Sequence, residues 1–129
     1  MSPSPRRLIS TGSPMEAQLA YSRAVVQGDW CIISGVTGYD YATMTLPDGV
    51  AAQARNCFST IADVLTEAGF AWADLIRATY YVTDRALVDE LAPVLAEHLG
   101  NVRPAASMVI AQLIRPDMLV EIEVAAFRG

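Results

Sequence analysis

Residues 50–68 place apolar side chains at steps of three and four positions, and this spacing constrains the fold more than any other feature of the chain. The stripe consists of Val50, Ala54, Cys57, Ile61, Leu65 and Ala68. It predicts a helix with Asp48 as its N-cap and Gly69 as its C-terminal stop. A second helix, capped by Asp84, is predicted over residues 85–99 from the stripe Leu87, Leu91, Leu95 and Leu99. Each helix must bury its stripe against another element of the fold.

Segments with the alternation of β-strands surround both helices. The predicted strands and turns are residues 7–11, a hairpin at Gly28-Asp29 within 21–35, residues 75–84, residues 105–113, a turn at 114–117, and residues 119–127. The resulting order is β-β-β-α-β-α-β-β. This order predicts an α+β fold in which two helices cover one face of a mixed sheet.

Two of these strands are expected to differ in chemistry between their faces. The side chains expected to meet the helices are Ile76, Ala78, Tyr80 and Val82 in one strand, and Val120, Ile122, Val124 and Ala126 in the other. The opposite face carries Arg77, Thr79, Tyr81 and Thr83, and in the last strand Glu121 and Glu123. A face that is neither wholly polar nor wholly apolar is typical of an interface between subunits that encloses small clefts.

Length and composition restrict the class of protein. A chain of 129 residues is expected to be one domain, residues 1–129, and its 53% hydrophobic content favours a subunit interface in addition to a core. The net charge of −5, with all basic residues being scattered arginines, disfavours nucleic acid as a partner. No apolar run reaches membrane-spanning length and no signal peptide is recognisable, so we expect a soluble cytoplasmic protein. Cys31 and Cys57 are expected to be buried reduced thiols.

Five segments, in order and in register, resemble the Rid family of reactive-intermediate deaminases, also called YjgF-like or L-PSP-like proteins. They are AYSRAV (20–25), IISG (32–35), AAQARNCFSTIADVLTEAG (51–69), RPAAS (103–107) and VEIEVAA (120–126). The resemblance implies a chorismate-mutase-like subunit in a homotrimer, with small-molecule clefts between neighbouring subunits and no metal or organic cofactor. The best known members hydrolyse reactive 2-imino or enamine acids to 2-oxo acids and ammonia.

The resemblance also implies a set of cleft residues, and one of them departs from the family. Tyr21, Ser34 and Gly35 match ligand-binding positions, and Glu121 matches the catalytic carboxylate. The family's carboxylate-binding arginine falls at Ala106 and its neighbouring cysteine at Met108. The cationic clamp is therefore missing, although Ala106 and Met108 are expected to share a strand face directed toward the cleft that Glu121 lines.

Other residues remain candidates for the missing interactions. Arg77, Arg85 and Arg103 are the arginines that we consider as substitutes for the clamp. In the loop 37–47, Tyr39, Asp40 and Tyr41 either reach into the cleft and define a different ligand or pack the loop on a neighbour. His98 is the only histidine and lies at a helix end, where it interacts with the last carbonyl groups instead of taking part in catalysis.

Two classes of function remain open. One is a hydrolase that acts on a small imine or enamine with atypical specificity. The other is a non-catalytic homotrimer that binds a small metabolite or a protein partner. Ribonuclease activity, a label that the family has sometimes carried, is disfavoured by the acidic charge and by the lack of paired histidines or a metal cluster.

Overall fold

The computed structural model describes residues 5–129, so the first four positions of the expected domain lie outside the described residues. The strands are β1 (Arg6–Ile9), β2 (Ala24–Gln27), β3 (Trp30–Thr37), β4 (Leu75–Val82), β5 (Ala105–Ile110) and β6 (Val120–Phe127). The helices are α1 (Pro14–Gln18), α2 (Val50–Ala68) and α3 (Val88–Leu99). The strands form one mixed sheet in the order β1-β2-β3-β6-β4-β5, in which only β4 and β5 are parallel. The predicted α+β architecture is confirmed.

Helix α2 has the predicted bounds, and its apolar stripe is buried against the sheet. Its C-terminal stop is also as predicted: Gly69 adopts a left-handed φ of 82°, and its N–H reaches the carbonyls of the last turn. The N-cap prediction is wrong. The capping residue is Gly49 and not Asp48, and no side chain accepts a hydrogen bond from the first turn.

The predicted hairpin is present as β2 and β3, and the side chains of β6 alternate as expected. Val120, Ile122, Val124 and Ala126 are all buried beneath the helices. Strand β4 departs from the prediction at its start. A register shift opposite β6 between Leu75 and Arg77 turns Leu75 into the core and leaves Ile76 42% exposed. From Ala78 onward the predicted alternation holds.

The short helix α1 was not predicted. Ser13 caps it, with its Oγ accepting a hydrogen bond from the N–H of Met15 at 3.3 Å, and Pro14 occupies the first turn. Glu16 turns inward and accepts hydrogen bonds from the N–H and the hydroxyl of Thr11. A helix of five residues is too short to produce a periodic pattern, so the only sequence signal is the cap itself.

The sheet face without helices carries exposed apolar side chains. Trp30 and Phe127 pair across β3 and β6 with ring centroids 4.6 Å apart, and Ile32 beside them is 48% exposed. Strand β5 forms one edge of the sheet, is exposed along its whole length, and ends at Ile110 rather than at the predicted residue 113. Within the described residues, neither this face nor the β5 edge is covered.

Candidate functional site

A cleft of about 260 Å³ lies where β3 and β6 meet α1 and the loop after β3. Six of the residues named from the sequence line it: Tyr21, Ser34, Gly35, Tyr39, Tyr41 and Glu121. Ala106 and Met108 do not. The cleft therefore gathers most of the expected polar groups from one chain, but it lacks the segment in which the family's arginine falls.

Glu121 occupies its position because residue 35 is a glycine. The pairing of β3 with β6 shifts register between Ile33 and Val36, and the Glu121 side chain lies over Gly35 at this irregularity. A Cβ atom at position 35 would meet Cδ of Glu121 at 2.8 Å and overlap one carboxylate oxygen. Ser34 is less available, since its hydroxyl donates to the carbonyl of Ser22 at 2.7 Å. The carboxylate of Glu121 is thus the acid–base group that the cleft presents.

The surroundings of Glu121 favour its protonated form. Burial raises the pKa of its carboxyl group, the nearby charge of Glu123 raises it further, and Arg23 partly opposes both effects. Glu123 itself accepts a hydrogen bond from the hydroxyl of Tyr81 at 2.5 Å. Glu121 therefore holds a proton more readily than an exposed glutamate, which suits a group that accepts and returns a proton during a reaction.

A buried arginine beneath the cleft was missed by the sequence analysis. Arg23 is 1% exposed, and its Nη1 donates to the carbonyls of Gly35 at 2.8 Å and Ser34 at 3.4 Å. Its Nη2 donates to the Tyr41 hydroxyl at 3.4 Å, and its guanidinium carbon lies 5.1 and 5.7 Å from the ring centroids of Tyr41 and Tyr21. The available signal was a charged residue just before an apolar strand, in the segment AYSRAV.

The two loop tyrosines approach the cleft, whereas Asp40 does not. Tyr39 and Tyr41 have ring centroids 6.2 Å apart and line the cleft beside Arg23. Asp40 accepts a hydrogen bond from the N–H of Ala42 within its own turn and faces a separate groove of about 390 Å³. Tyr39 and Tyr41 line this second groove as well as the cleft. Both interpretations of the loop, contact with a ligand and packing on a neighbour, stay predictions.

Ala106 and Met108 lie on the other side of the sheet from Glu121. In the parallel pairing of β4 and β5, Ala106 is opposite Ala78 and Met108 is opposite Tyr80, so both side chains are on the helix-covered face. Glu121 pairs with Tyr81 and therefore projects from the open face. Ala106 and Met108 share a strand face with each other, as predicted, but within one subunit Glu121 projects from the opposite face. Their approach to a cleft between subunits stays a prediction.

None of the three candidate substitutes for the clamp lines the cleft. Arg77 donates to the hydroxyl of Ser107 at 2.9 Å, between β4 and β5. Arg85 begins an exposed turn before α3, and Arg103 is exposed with a left-handed φ of 53°. His98 stacks on Phe58 with centroids 4.5 Å apart, which gives it a packing role.

Metal binding and membrane insertion find no support in the described part of the chain. Among residues 5–129, no group of three or more His, Cys, Asp or Glu side chains is placed to hold a metal ion. Over the same residues, no helix has both the length and the apolar character needed to cross a bilayer.

Comparisons with known proteins agree with the fold of the chain. The model of the endoribonuclease L-PSP family matches residues 11–128. A Mycobacterium tuberculosis protein of the YjgF family has a crystal structure with a TM-score of 0.88 and 38% identity, covering 96% of this chain and 100% of that one. RidA from an Antarctic Psychrobacter gives a TM-score of 0.83 at 30% identity, covering 94% and 98%. The 2-iminobutanoate/2-iminopropanoate deaminase of Bos taurus is 30% identical over 125 residues, covering 96% of this chain and 91% of the relative.

Proposed function

Because the chain belongs to the endoribonuclease L-PSP family, whose members are also called YjgF or Rid proteins, we propose that it hydrolyses a small imine or enamine to a carbonyl compound and ammonia. The observation that carries the proposal is the half-buried carboxyl group of Glu121, held over Gly35 with a raised pKa. The bovine relative, whose name describes deamination of 2-imino acids, supports the same reaction class.

The reaction needs one water molecule and no oxidant or reductant. Glu121 takes a proton from the water while the water oxygen bonds to the imine carbon. The electron pair of the C=N double bond moves to nitrogen, and the proton is returned there to give a carbinolamine. A second proton then moves from the carbinolamine hydroxyl group to nitrogen, the C–N bond breaks as the C=O bond forms, and the carbonyl compound and ammonia leave. Tyr21 and Tyr41 line the cleft beside this carboxylate, and their hydroxyl groups orient the substrate.

In this proposal the cleft is completed by a neighbouring subunit in a homotrimer. The uncovered sheet face and the exposed β5 edge supply apolar surface of the kind that subunits bury. Ala106 and Met108 do not approach Glu121 within one chain. In the proposed trimer they approach the Glu121 of a neighbouring subunit, because β5 of one subunit lies beside the cleft of the next. Sedimentation at micromolar concentration is expected to show a trimer, and a monomer would contradict this assembly.

A non-catalytic trimer that binds a small ligand is the second candidate. The observation that favours it is the alanine at position 106, because a bidentate arginine is the group best suited to hold a carboxylate. The ribonuclease activity in the family's name is not proposed here, since the net charge of −5 opposes binding to phosphates.

Ammonia release from freshly generated imines separates the two candidates. The panel contains 2-iminobutanoate, 2-iminopropanoate and neutral imines of similar size, each measured against its uncatalysed hydrolysis. The enzyme proposal requires acceleration of at least one of them that disappears in Glu121→Gln. If every compound hydrolyses at its uncatalysed rate in the presence of a folded trimer, the binding function replaces the enzyme proposal.

Gly35→Ala is expected to abolish most of this activity at little cost in stability. The new methyl group would displace the carboxylate of Glu121, which is the flexible end of a side chain beside an open cleft. Gly38→Ala is the contrasting variant, because its methyl group would lie 2.6 Å from Cα of Gln53 in α2. Thermal unfolding should therefore show a large loss of stability for Gly38→Ala and a small one for Gly35→Ala. An active Gly35→Ala protein would contradict the assigned role of Glu121.

A further inference from the structure

We propose that the cleft selects compounds without a carboxylate, with a neutral or cationic C=N group against Glu121 and a hydrocarbon substituent against an apolar rim. The rim is formed by Met15, Leu19, Ile114 and Met118. The inference rests on the proposed hydrolysis and specifies its substrate class. It excludes 2-imino acids as the preferred substrates of this chain.

The first argument is the charge that the cleft presents. Among the described side chains that line the cleft, Arg23 is the only one that forms a cation and Glu121 is the only carboxylic acid. Arg23 is 1% exposed, so a ligand cannot touch its guanidinium group. Within one subunit, the charge within reach of a ligand is therefore that of Glu121. A carboxylate placed beside Glu121 in a partly desolvated cleft would be repelled.

The second argument is that the hydrogen bonds of Arg23 are made to other parts of the protein. Two of its nitrogens donate to the carbonyls of Ser34 and Gly35 and to the hydroxyl of Tyr41. Its third nitrogen, Nε, is buried as well, without a partner among the described residues. Turning the guanidinium group toward a ligand would leave the Gly35 carbonyl without its 2.8 Å donor. Arg23 fixes the floor of the cleft and does not act as the missing clamp.

The third argument is the rim itself. Leu19 at the end of α1 is 59% exposed, and Ile114 in the segment before β6 is 66% exposed. Met118 forms a buried base, and Met15 lies half-buried between them. Exposed apolar side chains around a small cleft gain free energy when a hydrocarbon group covers them, and methionine adapts to groups of different shape. The rim thus offers hydrophobic contact to a substituent of a ligand bound beside Glu121.

Three compounds of nearly the same shape test this inference. Benzoate, benzamide and benzamidine carry charges of −1, 0 and +1 on a planar group attached to the same ring. Titrated into the trimer by NMR or calorimetry, benzamidine is expected to bind most tightly and benzoate most weakly, with a difference of about tenfold or more. Glu121→Gln should reduce this difference. Asp63→Asn, which removes a carboxylate from the neighbouring groove and not from the cleft, should preserve it.

Benzoate binding as tightly as benzamide would overturn the inference, and so would the absence of binding by all three up to about 10 mM. The two proposals fail separately. Tight benzoate binding with rapid hydrolysis of 2-iminobutanoate would keep the deaminase and discard the substrate class. The expected order of binding with no imine hydrolysed would discard the deaminase and keep a binding site for uncharged or cationic compounds.

Discussion

Ala106→Arg is expected to raise ammonia release from 2-iminobutanoate by about tenfold to a hundredfold. A hydrogen bond to a charged group contributes about 1.5–3 kcal/mol, and the new guanidinium group would supply such bonds to the substrate carboxylate. Ala106 lies on the exposed edge strand β5, so the added side chain meets no packed core within its own subunit. In the proposed trimer it would enter the cleft of a neighbour.

The gain should depend on the carboxylate of Glu121 and on the charge at position 106. Glu121→Ala in the Ala106→Arg background is expected to abolish it, and Ala106→Gln, which adds length without charge, should not reproduce it. The variant should also unfold at lower temperature without ligand, because an unpaired arginine at an interface is costly unless Glu121 pairs with it. A folded trimer with no gain would show that the cleft is built for another ligand, which the loop tyrosines Tyr39 and Tyr41 would contact.

Glu121→Gln is expected to lower the rate of imine hydrolysis by about 10²- to 10⁴-fold, the usual contribution of a positioned acid–base group. In the native protein the rate should rise with pH as Glu121 loses its proton, with a midpoint above the ordinary glutamate pKa of 4.5. Glu123→Gln should lower that midpoint, because it removes the neighbouring negative charge. Equal activity of the Glu121→Gln protein would contradict the mechanism directly.

Glu121→Gln should also stabilise the fold near neutral pH. Because the folded-state pKa of Glu121 is raised, the folded chain holds its proton where the unfolded chain has released it. The free energy of unfolding therefore falls as pH rises from the ordinary glutamate value through the raised one, and this loss is complete above both. Glutamine carries no such charge, so the unfolding midpoint of the variant should exceed that of the native protein at pH 7 and approach it in acid. An identical difference at both pH values would argue against burial as the cause.

The fold was largely predictable because its main elements follow simple periods. Helix α2 and strand β6 each bury one regular set of side chains. The bounds of α2 and the buried face of β6 were predicted correctly. Ile76 was assigned to the wrong face, because a register shift depends on the partner strand and leaves no trace in the alternation. Helix α1 was missed because a single turn is recognised by its cap and not by a stripe.

The candidate site was less predictable, for a different physical reason. Of the six residues that meet in the cleft, four were named through the family resemblance and the tyrosines Tyr39 and Tyr41 from the composition of the loop 37–47, and none from a period in the chain. Arg23 was missed because the interactions that make its burial tolerable come from distant residues, the carbonyl of Gly35 and the ring of Tyr41. The approach of Ala106 to the cleft stays a prediction, because within one chain the parallel pairing of β5 with β4 places Ala106 on the face opposite to Glu121.

Strand β6 lies inside the sheet, with β3 bonded to one side and β4 to the other. The backbone that carries Glu121 is therefore anchored from both directions, whereas Leu19, Ile114 and Ala106 stand on exposed segments that the core does not constrain. Substitutions by uncharged side chains at those three positions cost little folding free energy within the subunit. The residue proposed to react and the residues proposed to select the substrate therefore lie on different parts of the fold, and they can change independently in evolution. Descendants of one ancestral subunit can exchange the compounds they recognise by single mutations and keep the reacting group in place.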